Sequence, residues 1–275
     1  MSVPSARDER APHRGTISVS FDNFGEAADL ELGRHPQDEP IGRHFTACES
    51  FDALLGIVGD RPITYFVEAS NALLYPDALR AMRDHGIEIG LHGWRHEHWG
   101  RLEPSRRPEV LARSIDALQG IGIRPRGFRP PGGEMREGAL AEIARAGLDY
   151  CSPLGDAGAA GVSDGVPVLP FAWRHVDAYQ LDPRLDALRA RHGDPPQAAD
   201  VAAWRATLDA AVGLAAGGGH VTVVLHPFLF LRDAAMRDAL LALFARIDAT
   251  PEVEMVGCAT AAERVRGRAA AAGPR

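Results

Sequence analysis

The sequence predicts an α/β protein, either a (β/α) barrel or an open doubly wound sheet. Short apolar runs with strand character alternate with segments of helical periodicity along most of the 275 residues. A helix–glycine–strand pattern recurs, as where His85-Gly86 separates an amphipathic helix from the alternating Ile87–Leu91. A chain of this length can bury one large core without disulfides or a structural metal. One catalytic domain is therefore expected over residues 15–264.

The individual elements follow from this alternation. Strands are predicted at Thr16–Phe21, Pro62–Val67, Ile87–Leu91, Gly127–Arg129, Asp149–Ser152, Val166–Pro170, Val221–Leu225 and Val253–Val256. Helices are predicted at Ala47–Val58, Pro76–His85, Pro108–Ile121, Glu137–Ala146, Val201–Ala216 and Arg232–Ile247. The proline-rich stretch 183–200 indicates an inserted loop. Residues 1–14 are expected to form a disordered arm and 265–275 a disordered, Arg/Ala/Gly-rich tail.

Composition excludes several classes of function. The net charge is −7 and no basic, aromatic-rich segment occurs, so nucleic acid is not an expected partner. All 30 cationic residues are arginine, which excludes Schiff-base chemistry, pyridoxal phosphate anchoring and a lysine-bearing phosphate loop. No membrane partner is expected, because no apolar run approaches 18 residues. A homo-oligomer is compatible with the sequence.

Cysteine usage bears on location. Three cysteines, Cys48, Cys151 and Cys258, lie far apart, which argues for a reducing compartment and against a disulfide framework. The first residues are polar and lack the apolar core of a signal peptide. A cytoplasmic location is therefore predicted, and with it a small soluble substrate or an oligosaccharide rather than wall polymer.

Unusual polar residues follow four of the predicted strands. In barrels and in open sheets, active sites form at the carboxyl ends of parallel strands. The four strand ends read Ser20-Phe21-Asp22-Asn23, Leu91-His92-Gly93-Trp94-Arg95-His96, Phe128-Arg129-Pro130-Pro131-Gly132-Gly133 and Val224-Leu225-His226-Pro227. Their shared placement predicts one site.

His92 and His96 are the candidate metal ligands, because two imidazoles four residues apart can face one point. An isolated pair of this kind is more often a surface or capping pair. Here it directly follows a strand and is flanked by Trp94 and Trp99, which could form the wall of a substrate pocket. Trp173 could join them in stacking on a substrate ring, although packing in the core would explain the three tryptophans equally well.

The remaining candidates are acid–base groups. Asp22 could act as a base or bind metal, although Asp often caps a turn. Arg129 could keep Asp22 ionised through a bidentate pair, or form a structural salt bridge. His226 could protonate a leaving amine, with Asp177 orienting it and raising its pKa. A lone histidine after a buried strand is more often a core residue, so the case for His226 depends on the other candidates.

These four strand-end motifs resemble motifs one, two, three and five of the NodB-type polysaccharide deacetylases, carbohydrate esterase family four. The resemblance runs in the family's order from about Thr16 to Gly257. It implies a distorted (β/α) barrel, a divalent metal (commonly zinc) and hydrolysis of N-acetyl groups on sugars. By the resemblance, Asp22 is the catalytic base, His92 and His96 bind the metal, Arg129 is the partner of the base and His226 is the general acid. Pro131 and Gly132 of the third motif are expected to contact substrate.

The chain departs from the family at two positions. The first motif of the family carries a second, metal-binding aspartate, and this chain has Asn23 there. An amide oxygen binds zinc more weakly than a carboxylate. Either Asn23 coordinates weakly, Asp22 binds the metal directly, Glu26 substitutes, or the site works without metal. The fourth motif is met only loosely around Asp177.

The function predicted from these residues is metal-dependent removal of an N-acyl group from a sugar-like or small amide substrate. The alternatives are a metal-independent hydrolase of cyclic amides or imides, a deformylase, and a non-catalytic binding protein on this scaffold. Two other readings are disfavoured. Gly161-Val-Ser-Asp-Gly165 matches a nucleophile-elbow pattern without the strand and helix that this pattern needs. Cys151 has no neighbour in sequence that would lower its pKa.

Overall fold

A computed structural model describes residues 14–272, which form a ten-stranded curled sheet surrounded by helices. The strand order is β6-β7-β5-β4-β3-β2-β1-β9-β8, and β10 pairs with the start of β1. All pairings are parallel except that of β6 with β7. The strands are β1 Gly15–Asp22, β2 Thr64–Val67, β3 Glu88–Leu91, β4 Gly127–Phe128, β5 Tyr150–Cys151, β6 Gly161–Ser163, β7 Val166–Val168, β8 Phe171–Val176, β9 His220–Leu225 and β10 Val253–Met255.

The helices cover the outside of the sheet, and the main core lies between the two layers. Apolar residues of β1, such as Ile17 and Val19, are fully buried. The helices are α1 Ala27–Glu31, α2 Phe45–Cys48, α3 Phe51–Val58, α4 Asn71–Leu74, α5 Pro76–Asp84, α6 Arg107–Gly120, α7 Ala139–Arg145, α8 Asp177–Leu181, α9 Asp186–Arg191, α10 Val201–Ala216, α11 Pro227–Phe230, α12 Ala234–Asp248 and α13 Cys258–Ala272.

The two ends of the sheet come together. A parallel bridge joins Leu154, just after β5, to Phe171, the first residue of β8. The Phe171 backbone N–H donates to the Pro153 carbonyl over 2.9 Å, and the Gly155 N–H donates to the Phe171 carbonyl over 2.9 Å. This is the distorted (β/α) barrel that the family resemblance implied, so that prediction is confirmed and the open sheet is excluded.

Several predicted elements require correction. The helix expected over 47–58 is two helices, α2 and α3. The stretch 183–200, expected as a loop, contains α9. The strand β8 was missed because Trp173-Arg174-His175 interrupts its apolar pattern. Gly161–Ser163, in the serine motif, forms an antiparallel hairpin with β7 and no helix follows it.

The chain ends differ from the expectation as far as they are described. The tail predicted to be disordered from residue 265 is helical to Ala272, because α13 buries Val265 and other small residues against the sheet. Residues 273–275 and residues 1–13 of the predicted N-terminal arm lie outside the described residues. Between 14 and 272, no helix is both long and apolar enough to cross a membrane.

Candidate active site

A cavity of about 800 Å³ opens at the carboxyl ends of the strands. Parallel strands place the residues that follow them on one edge of a barrel. Asp22 ends β1, His92 follows β3, Arg129 follows β4 and His226 follows β9. All four line this cavity, although they come from distant parts of the sequence.

Asp22 and Arg129 form a buried ion pair. Arg129 Nη1 donates to Asp22 Oδ1 over 2.6 Å, and Arg129 is fully buried. The guanidinium also donates to Ser152 Oγ and lies over the Phe66 ring at 4.1 Å. These contacts fix Arg129, so the second oxygen of Asp22 is left to face the histidines, with Oδ2 at 3.9 Å from His92 Nε2. That separation exceeds a hydrogen bond.

His92 and His96 both line the cavity, and their ring centroids lie 4.9 Å apart. Burial lowers the pKa of each imidazole to about 3, so both are neutral at ordinary pH. His92 Nδ1 lies 2.8 Å from the Arg129 carbonyl oxygen, which can only accept. The hydrogen-bond network therefore assigns the proton to Nδ1 and leaves a lone pair on Nε2. Neutral imidazoles in this tautomer are metal ligands.

Glu68 completes this group of donors. One carboxylate oxygen of Glu68 and one ring nitrogen each of His92 and His96 lie within 4.8 Å of one another. Glu68 follows β2 and is fully buried. Its Oε2 accepts from the Phe24 N–H over 3.1 Å and from Asn71 Nδ2 over 3.3 Å. Oε1 has no hydrogen-bond partner among the described residues.

A divalent cation fits this donor set. Burial raises the pKa of Glu68 to about 8, so ionising this buried carboxyl is unfavourable without a compensating charge. A cation at Oε1 would supply the charge and satisfy the unpaired oxygen. Two neutral imidazoles and one carboxylate are a ligand set used by catalytic zinc sites.

Three other oxygen-bearing residues were candidates for the third metal ligand. Glu26 is excluded: Oε2 accepts from the Tyr75 hydroxyl over 2.5 Å, and Oε1 accepts from the Gly42 N–H. Asp22 lies beside the donor group and not within it. Asn23 lines the same cavity in a left-handed conformation (φ 60°), and its Oδ1 is buried without a partner among the described residues. Glu68 was not among the residues predicted from the sequence, because it follows β2, which is not one of the four strands whose ends carried the candidate residues.

His226 and Asp177 form a second buried pair at the other side of the site. His226 Nδ1 lies 2.6 Å from Asp177 Oδ1, and the His226 backbone N–H donates to Asp177 Oδ2 over 2.7 Å. Burial alone lowers the pKa of His226, but the charge and hydrogen bond of Asp177 outweigh it, so the pKa is raised. His226 can therefore carry a proton, with Nε2 left for a substrate.

Not all residues predicted to contact substrate line the cavity. Trp94 and Trp99 do not: Trp94 stacks under Arg113, and Trp99 packs edge-on against Phe128 in the core. Pro131 is also absent from the cavity wall, whereas Gly132 lines it. Local sequence does not determine which face of the loop the tryptophans occupy. Trp173, the third tryptophan considered as a stacking residue, lines the cavity from the strand β8.

Comparison with known proteins agrees with the fold and the motifs. Residues 59–151 match the sequence model of the polysaccharide deacetylase family. A peptidoglycan deacetylase-like protein of Gibberella zeae is 30% identical over 93 residues, which are 34% of this chain and 28% of that relative. The alignment thus spans under a third of the relative's length. Over this segment the chain is similar to polysaccharide deacetylases.

Solved structures extend this relationship to the whole fold. A Mycobacterium smegmatis protein described as a polysaccharide deacetylase is 25% identical with a TM-score of 0.78, covering 97% of this chain and 95% of its own. PuuE allantoinase superposes with a TM-score of 0.70 at 20% identity, covering 96% of this chain and 98% of its own. The second likeness concerns the fold alone.

Proposed function

We propose that this deacetylase relative is a metal-dependent hydrolase that removes an N-acyl group, with N-acetyl as the first candidate, from a sugar-like or small amide substrate. One arrangement carries the proposal. Three possible metal ligands lie close together, and the two imidazoles among them line the cavity with a carboxylate held by a guanidinium and an imidazole held by a carboxylate. Similarity to a peptidoglycan deacetylase-like protein supports an amide as the bond that is cleaved.

Glu68, His92 and His96 would hold the metal, with zinc as the proposed ion. When bound, such an ion polarises an acyl carbonyl and lowers the pKa of a water molecule. Glu68 thus takes the part that the resemblance assigned to Asn23. The Arg129 carbonyl accepts a hydrogen bond from His92 and so orients this proposed ligand.

The residues of the chain would then move the protons. Asp22, held by Arg129, accepts a proton from the attacking water. His226, which Asp177 keeps protonated, donates a proton to the departing amine. The base and the acid reside in separate buried pairs, each with its own charged partner, so one can be ionised while the other is protonated.

Metal analysis tests the ligand set. After equilibration with zinc and desalting, the wild-type protein is expected to retain one zinc per chain. Glu68→Gln should lower the zinc affinity by at least ~10–100-fold, the loss typical when a residue that only orients a metal ligand is changed. The loss should be at least as large here because the change removes the charge of a ligand itself. Glu134→Gln, which changes an exposed carboxylate of the same cavity, is the matched control and should bind like wild type. Equal zinc retention by Glu68→Gln would refute the assignment, and loss of zinc by Asn23→Ala would restore Asn23 as a ligand.

Activity tests separate the function from its alternatives. Acetate release from small N-acetyl amines and N-acetyl sugars, abolished by Asp22→Asn, is the expected result. Hydrolysis of cyclic amides by zinc-free protein would favour the metal-independent alternative, and ligand binding without turnover of any amide would favour a binding protein. The cytoplasmic location and the oligomeric state remain predictions.

A further inference from the structure

One wall of the cavity is apolar and is built by a single region of the barrel. It consists of side chains from β8, α8, α9 and β9, and we call it the β8–α9 wall. Its members form a hydrophobic cluster separate from the main core, and all of them line the cavity: Phe171, Trp173, Val176, Tyr179, Leu188 and Val224.

Trp173 is the centre of this wall. Its ring stacks on Tyr179 with centroids 5.3 Å apart and planes 20° apart, and the Phe171 ring meets it edge-on at 5.6 Å. The Tyr179 hydroxyl donates to Asp194, which holds the stack in place. Trp173 Nε1 is buried without a hydrogen-bond partner among the described residues. The wall therefore presents a fixed aromatic surface with a single unpaired donor.

The wall lies on the side of the proposed general acid. Val176 ends β8 directly before Asp177, and Val224 precedes His226 by two residues on β9. A proton from His226 goes to the leaving amine, so the amine part of the substrate is the part that this wall would contact. Other parts of the cavity lining are ionisable, both in the segment after β1, with Asp29, Arg34 and Arg43, and beside the wall, with Arg191 and His192.

We propose, resting on the function above, that the amine part of the substrate is a small molecule with an apolar ring, not a hydroxyl-rich saccharide. Sugar hydroxyls packed against the apolar side chains of this wall would lose water without gaining a hydrogen bond from those side chains, which is unfavourable. An apolar ring instead gains from burial against an aromatic face.

Binding measurements test this independently of turnover. The probes are N-acetyl-2-phenylethylamine and N,N′-diacetylchitobiose, titrated calorimetrically into the zinc-loaded full chain and into the Asp22→Asn variant. The aryl amide is expected to bind more tightly than the disaccharide. Tighter binding of the disaccharide would overturn the inference while leaving the proposed hydrolysis intact. Tight aryl binding without turnover of any amide would instead count against the proposed function alone.

Variants locate the binding surface. Trp173→Ala should weaken binding of the aryl amide about tenfold, and Trp173→Phe, which keeps a ring, should restore most of that loss. Leu188→Ala, a milder change in the same wall, should weaken binding about threefold. Leu32→Ala is the matched control: it removes an exposed leucine of the cavity lining outside the wall and should have no effect. Unchanged binding in both wall variants, each folded by circular dichroism, would refute the proposal.

Discussion

Acid should unfold this protein partly through His220, the first residue of β9. The side chain is buried, and its ring nitrogens lie 2.9 Å from Thr16 Oγ1 and 3.2 Å from Thr222 Oγ1. Burial, with a smaller contribution from Arg268, lowers its pKa from 6.5 to about 3. The folded state thus resists protonation, whereas the unfolded chain accepts a proton below pH 6.5. Stability from this group is present above pH 6.5 and is lost progressively between pH 6.5 and about 3.

The size of the effect follows from the difference in proton uptake. At pH 4.5, protonation of this one residue stabilises the unfolded state relative to the folded state by about 2.7 kcal/mol, because each of the two pH units below 6.5 contributes ~1.36 kcal/mol. Urea unfolding of metal-free protein at pH 7.5 and 4.5 measures it. His220→Asn should lose about 2–3 kcal/mol less than wild type between the two pH values. His85→Asn, at an exposed histidine, is the control and should behave as wild type. The same loss in wild type and His220→Asn would refute the reasoning.

Two further predictions concern the site. Asp177→Asn should lower kcat by ~10²–10⁴-fold and move the alkaline limb of the pH–rate profile to lower pH. The two contributions of Asp177 that raise the pKa of His226 are then lost, and burial lowers this pKa against the weaker effect of the Asp22 charge. An unmoved limb would contradict the role of Asp177. Glu97 Oε2 accepts from the Trp94 and Arg95 backbone N–H groups over 2.9 and 3.1 Å and so holds the loop in which His96 takes a left-handed conformation (φ 84°). Glu97→Ala should weaken zinc binding ~10–100-fold by competition with a chelator, whereas Glu97→Gln, which keeps an acceptor oxygen, should retain most of it.

Much of the architecture could be predicted because it depends on local signals. Strands buried within a barrel are short continuous apolar runs, and amphipathic helices repeat every 3.6 residues, so β1, β9 and α10 lie close to their predicted bounds. The strand β8 was missed because the polar residues Arg174 and His175 interrupt its apolar pattern, although other residues of this strand line the cavity.

The sequence by itself determined the α/β class, and its resemblance to the deacetylases implied the barrel. It also predicted that Asp22, His92, Arg129 and His226 lie at one edge of the sheet, because parallel strands share a direction. Only the tertiary structure decided which side chains turn inward. It places the buried Glu68 carboxylate, with one oxygen unpaired among the described residues, near two imidazoles, which supports our proposal of Glu68 as a metal ligand. In the folded chain Trp173 lines the cavity, whereas Trp94 and Trp99 do not. Orientation depends on packing between residues distant in sequence, and no local pattern records those contacts.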